Sequence, residues 1–187
     1  MTESQKYTVV AQHPGFEVRR YAAHVVAEVT VSGPADEAGN RAFRPLAGYI
    51  GGRNVAGRSV AMTAPVLQEK AAGRSIAMTA PVLQQAAGPD ASVVGFVMPA
   101  DESLQTLPAP TDPDVTLRAV PEAFAAAAQY SGRWTMSSYE QHLADLEAAV
   151  RAAGLEVVGP ARWARYDPPW KPWFLRRNEV LLPVAEP

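Results

Sequence analysis

Apolar and polar side chains alternate strictly in several short stretches of this chain. Phe16-Glu17-Val18-Arg19-Arg20-Tyr21 is one of them, and a two-residue period predicts a half-buried strand. Residues 24–31 continue in that style, with Val25, Ala27, Val29 and Val31 on one face and His24, Glu28 and Thr30 opposite. A shorter strand is expected over residues 7–11, closed by the turn His13-Pro14-Gly15. After Ser32-Gly33-Pro34 the period changes. Ala38, Ala42, Leu46 and Ile50 recur at four-residue steps beside Phe43 and Tyr49, which predicts an amphipathic helix. Pro34 suits its first turn, and Gly51-Gly52 stops it.

The next stretch is a tandem repeat. Residues 57–68 read Gly-Arg-Ser-Val-Ala-Met-Thr-Ala-Pro-Val-Leu-Gln, and residues 73–84 repeat them with Ile76 in place of Val60. Two short copies are too few for a solenoid but suit a strand and a turn used twice. Extended geometry groups Val60, Met62, Ala64 and Val66 on one side, and Ile76, Met78, Ala80 and Val82 in the second copy. The pair is expected to form a hairpin with an apolar, Met-bearing wall. Pro65 and Pro81 each lack a ladder donor, so both strands should end, bulge or lie at an edge there.

Further strands are expected at 93–98, 155–158, 163–166 and 180–184, with a Pro-rich surface linker over residues 100–114. A second helix is expected behind a Ser137–Glu140 capping box, with Tyr139, Leu143, Leu146 and Val150 as its apolar stripe. The run Ala123–Ala128 favours helix by propensity. Its position echoes the strand before the first helix, so a strand is expected. The pattern is β-β-α-β-β twice, in one domain over residues 1–187 with pseudo-repeat halves at about 7–99 and 115–184. Short connections predict an α+β fold with a largely antiparallel sheet, curved or closed into an open barrel, and a ligand cleft between the halves.

Composition narrows the function. Apolar residues make up 48% and charged residues 19%, as in globular chains. The net charge is −2 with no basic block, so no nucleic-acid partner is expected. Cysteine is absent, which excludes disulfides and thiolate chemistry. No apolar run approaches the roughly 20 residues of a membrane span, and the N-terminus does not resemble a signal peptide, so a cytoplasmic location is expected.

Four motifs in order make the chain resemble the SOUL haem-binding protein family. They are Phe16–Tyr21, Ala-Met-Thr-Ala-Pro-Val at 61–66 and again at 77–82, Phe96-Val-Met-Pro99, and Arg-Tyr-Asp-Pro-Pro-Trp-Lys-Pro-Trp-Phe-Leu-Arg-Arg-Asn-Glu-Val at 165–180. The resemblance covers about residues 7–184. It implies two βαββ-like halves forming a distorted antiparallel β-barrel flanked by two long helices, similar to effector-binding domains. It also implies binding of haem or another tetrapyrrole. Carried over from the family, Met62 and Val60 lie by the ligand, with Ala64 on the same face and Arg58 or Arg53 as partners of the haem carboxylates. The duplication makes Met78, Ile76 and Arg74 equal candidates.

Trp170 and Trp173, in a rigid Pro-rich segment, are candidates either for a lid stacked on the ligand or for caps on the core. Arg20 stands where some family members carry histidine, which favours binding by apolar contact without a strong axial ligand. His13 lies in a turn, His24 on a polar strand face and His142 beside a helix stripe. Glu179 is expected to be buried and bonded to backbone. No catalytic constellation emerges from the residues. Three readings follow: a non-catalytic haem or porphyrin binder for buffering or transfer, a small enzyme (a hydrolase or a haem-modifying activity) on a bulky aromatic ligand, or a generic effector-binding domain.

Overall fold

The computed structural model describes residues 3–55, 73–168 and 170–187. The first copy of the repeat therefore lies outside the described residues, and with it the expected hairpin, Arg58, Val60, Met62 and Ala64. The strands are β1 (Glu3–Ser4), β2 (Thr8–His13), β3 (Phe16–Tyr21), β4 (His24–Ser32), β5 (Asn54–Val55), β6 (Thr79–Ala80), β7 (Val82–Gly88), β8 (Ala91–Val97), β9 (Ala109–Pro110), β10 (Thr116–Val120), β11 (Ala123–Tyr130), β12 (Arg162–Arg165) and β13 (Asn178–Val184). Two helices, α1 (Ala35–Ile50) and α2 (Met136–Ala152), interrupt them. Ala123–Ala128 is strand, as its position rather than its propensity indicated: β11 is paired on both sides, with β13 and with β3.

Nine strands form one antiparallel sheet in the order β10-β4-β8-β7-β12-β13-β11-β3-β2. On either side of the central β7–β12 pair, the order runs outward as β8, β4, β10 and as β13, β11, β3. The leading strands are exchanged: β3 precedes β4 in the chain yet pairs with β11, and β10 precedes β11 yet pairs with β4. The sheet does not close into the expected barrel, because its end strands, β10 and β2, do not pair with each other. β10 is five residues long and β2 shifts register between Val9 and Ala11. Short and bulged edges of this kind resist further pairing.

The strand registers put both helices on the same face. Ala27 lies opposite Phe96, Val94 opposite Gln84, Gln84 opposite Trp163, Trp163 opposite Val180, and Leu182 opposite Ala126. All of these side chains point to one side. α1 covers that side over β4 and β8, burying Ala38, Ala42, Leu46 and Tyr49 against Val25, Ala27, Val29, Val94 and Phe96. α2 covers it over β3, β11 and β13, burying Tyr139, Leu146 and Val150 against Val18, Ala126, Trp163, Val180 and Leu182. Among the described residues, the opposite face carries neither α1 nor α2 and holds small apolar clusters, Val26-Val97-Val120 and Ala127-Ala164-Leu181.

Other expectations are corrected in detail. The cap of α2 is Thr135, whose extended backbone brings Oγ1 to the Ser138 N–H at 3.3 Å, so the Ser137–Glu140 box is not the one used. Residues 155–158 contribute a single bridge, Val157 to Val184, rather than a strand. Residues 100–114 are more than a surface linker. β9 pairs with β5, Leu107 is buried in the α1 cluster, and Tyr49 Oη donates to Pro108 O at 3.0 Å.

In the second repeat copy, residues 73–78 form no strand. Asn54 clamps their start: its Oδ1 accepts from Arg74 N–H at 2.8 Å, and its Nδ2 donates to the Tyr49 and Arg74 carbonyls. Ile76 is buried in the α1 cluster, while Met78 is 36% exposed. Pro81 separates β6 from β7, where the missing donor predicted a strand end. Among the described residues, no helix is long and apolar enough to cross a membrane.

Candidate functional site

The face of the sheet opposite α1 and α2 carries three adjoining depressions. The first is lined by Tyr21, Leu83, Val120, Phe124, Leu181 and Pro183, among others. The second is lined by Gln5, Ala22, Thr79, Val97 and Met98, among others. The third is lined by Val26, Glu28, Leu83, Gly95, Arg118 and Val120, among others. His24 lines all three, and Arg162 lines the first and third. The alternation in β4 that sends Val25, Ala27 and Val29 to the core therefore delivers His24, Val26 and Glu28 to this cleft.

His24 is a neutral donor of fixed orientation. Nδ1 lies 2.8 Å from Ala22 O, a carbonyl that can only accept, so Nδ1 carries the proton. Nε2 is then the basic nitrogen and accepts from Gln5 Nε2–H at 3.2 Å. Burial lowers the His24 pKa, and the Arg162 and Arg118 charges lower it further, against the opposing pull of the Ala22 carbonyl. Thr79, from the second Met-Thr-Ala-Pro segment, places a buried Oγ1 without a hydrogen-bond partner among the described residues. The residue this motif sends to the cleft is thus its threonine.

The two charged groups of β10 and β4 compensate each other. Arg118 holds Glu28 in a two-pronged contact, Nε to Oε1 at 2.9 Å and Nη2 to Oε2 at 2.8 Å, and this bond raises the Arg118 pKa. Arg162 has no such partner. Among the described residues its guanidinium makes no hydrogen bond or ion pair. Burial and the neighbouring Arg118 charge pull its pKa below the ordinary arginine value.

The far end of the same face holds a buried ion network. The Glu179 side chain is 0% exposed and accepts from Arg19 Nη1 at 2.6 Å, Arg177 Nη2 at 2.6 Å and Tyr166 Oη at 2.8 Å. Burial works to raise the Glu179 pKa, but these donors outweigh it and the net shift is downward. Arg19 also donates to Glu17 Oε1 at 2.5 Å and to Tyr21 Oη at 3.2 Å. Burial pushes the Tyr21 phenol up to about 12, against the Arg19 charge. Two arginines face two glutamates here, so the network is neutral. Glu179 is buried as the sequence indicated, but its partners are side chains rather than backbone.

The candidates that fall among the described residues do not line the three depressions. Arg53 donates to Arg44 O at 2.9 Å at the end of α1. Arg74 pairs with Glu102 at 2.8 Å. Ile76 faces α1, Met78 is 36% exposed, and neither lines the three depressions. Trp170 and Trp173 are 84% and 48% exposed and line none of them either. Trp163 and Trp134 are the tryptophans in the α2 cluster. His13 stacks on Phe16 and His142 on Tyr130.

Known structures share this α+β arrangement of a large antiparallel sheet and two helices. The C-terminal domain of EcmrR superposes with a TM-score of 0.63 at 11% identity, over 97% of this chain and 99% of that one. An uncharacterized conserved protein from Listeria innocua gives 0.58 at 14% identity, over 90% and 92%. A hydrolase from Listeria innocua gives 0.56 at 12% identity, over 90% and 91%. Identities this low speak to the fold alone. Among curated proteins none matches the chain. The sequence is more specific than the fold: residues 2–183 match the SOUL heme-binding protein family, and the chain belongs to it.

Proposed function

We propose that this protein binds haem or a related tetrapyrrole without catalysis, for buffering or transfer, and that the ligand sits in the cleft on the face opposite α1 and α2. One observation supports the placement: three depressions share His24, and two of them share an apolar floor of Leu83 and Val120, extended in the first by Leu181. A flat apolar macrocycle needs such a floor, with a few polar groups at its margin. Thr79 Oγ1, lacking a partner among the described residues, supplies one of them. His24 Nε2 is already engaged by Gln5, so the seat works by apolar contact and does not require a bond to iron. A haem, when bound, brings the metal, and the chain supplies the surface and orientation.

The family resemblance instead favours a seat beside Met62 or Met78, with Arg53, Arg58 or Arg74 at the carboxylates. A haemin titration followed at the Soret band separates the two. The wild type is expected to saturate. Leu83→Trp, which fills two of the depressions, should weaken binding at least about tenfold, and Met78→Ala should leave it unchanged. A wild type without a saturable shift overturns haem binding. Loss in Met78→Ala with normal binding in Leu83→Trp overturns the placement.

A further inference from the structure

The charges on the cleft face do not balance. Glu28 is matched by Arg118, and Glu17 and Glu179 are matched by Arg19 and Arg177. His24 is held neutral. Arg162 is left over: its side chain is partly buried, it lines two of the three depressions, and among the described residues no carboxylate or carbonyl meets it. A guanidinium removed from water without a counter-charge costs stability unless something completes it. The planar fork of arginine suits a carboxylate, which it binds through two parallel hydrogen bonds.

We infer that the cleft selects ligands bearing a carboxylate, and that Arg162 is the specificity-determining residue that binds it. Cationic ligands gain nothing here, because Glu28, the acidic group that lines the depressions, and Glu17 and Glu179 on the same face are already neutralised by arginines. The arrangement also orients the ligand. Arg162 lies opposite Leu181 in the β12–β13 ladder, so the carboxylate edge points to the central β7–β12 seam while the apolar body covers Leu83 and Val120. A β12 arginine read from the sequence alone is an ordinary strand-edge charge, and only the pairing of β12 between β7 and β13 carries it into the cleft.

This inference rests on the tetrapyrrole reading, and the test separates the two. Metal-free deuteroporphyrin IX and its dimethyl ester share one macrocycle and differ in their two carboxylates. Binding of each is followed by porphyrin fluorescence, so iron coordination plays no part. The wild type is expected to bind the diacid about tenfold or more tighter than the ester, the scale of one charge-assisted contact. Arg162→Gln should remove the preference, Arg162→Lys should restore part of it, and the neutral pair Glu28→Gln/Arg118→Gln should keep it. A thermal melt distinguishes recognition from a structural role: Arg162→Gln should melt at or above the wild-type temperature, because the unpartnered charge is gone. Equal affinities for diacid and ester in the wild type overturn the inference and leave the tetrapyrrole reading standing. Saturation by neither porphyrin overturns both. A preference that survives in Arg162→Gln, or a marked loss of thermal stability there, also overturns the role of Arg162.

Discussion

Replacing Glu179 by glutamine keeps the side chain's shape and removes its charge. In the folded protein that leaves Arg19, with a side chain 3% exposed, beside Arg177 without the carboxylate that joins them. Breaking a buried pair from one side costs roughly 3–5 kcal/mol. Native domains hold about 5–15 kcal/mol in all. At about 2–4 °C per kcal/mol for a chain of this size, the melting temperature should fall by about 6–20 °C at neutral pH.

The pH dependence is the sharper part of this prediction. The folded pKa of Glu179 lies below its ordinary value. The unfolded chain therefore binds the proton more readily, and the contribution of Glu179 is fully present above the unfolded value of about 4.3. It is lost as pH falls through the lower folded value. Urea unfolding by circular dichroism at pH 7, 5, 4 and 3 should show the gap between wild type and Glu179→Gln narrowing as acid is added. A Glu179→Gln protein within about 1 kcal/mol of wild type at pH 7, or a gap that stays constant to pH 3, refutes the reasoning.

Three further outcomes are expected. Leu146→Ala should cost about 2–5 kcal/mol in urea unfolding, because Leu146 is 2% exposed in the cluster under α2. Trp170→Ala should change stability by no more than about 0.5 kcal/mol and leave porphyrin affinity unaltered, since its ring is 84% exposed and lines none of the three depressions; a loss of affinity would restore the lid. Metal-free protoporphyrin should bind within about tenfold of haemin in parallel fluorescence and Soret titrations, as apolar contact rather than iron ligation holds the ring.

Much of the fold was legible because it is written in local periods. The two-residue alternation of Phe16–Tyr21 and of residues 24–31 sorted core from surface, and the four-residue steps of Ala38, Ala42 and Leu46 marked α1. Ala123–Ala128 shows a tertiary override: six residues with helix propensity become strand because β3 and β13 pair on both sides. The barrel was not legible, since whether β10 meets β2 depends on sheet curvature rather than on either strand.

The cleft was half legible. His24 and Glu28 fell correctly on the face opposite the valines, but nothing local says that α1 and α2 both pack on the other face. Arg19 and Glu179 stand 160 residues apart, and Arg162 reaches the cleft only through the pairing of β12 with β7 and β13. The repeat, prominent as a pattern, drew attention to Met78 and Ile76. Its second copy is instead pinned to α1 by Asn54 before β7 begins.

Paramagnetic broadening by ferric haem, read from the amide spectrum of the isotope-labelled protein, tests the placement of the ligand most directly. Signals of His24–Glu28, Arg118–Val120 and Arg162–Ala164 should broaden first on substoichiometric addition of haemin, with those of Arg53, Arg74 and Met78 unaffected. Broadening centred on Arg53, Arg74 and Met78, with β4 and β12 unchanged, would contradict the account.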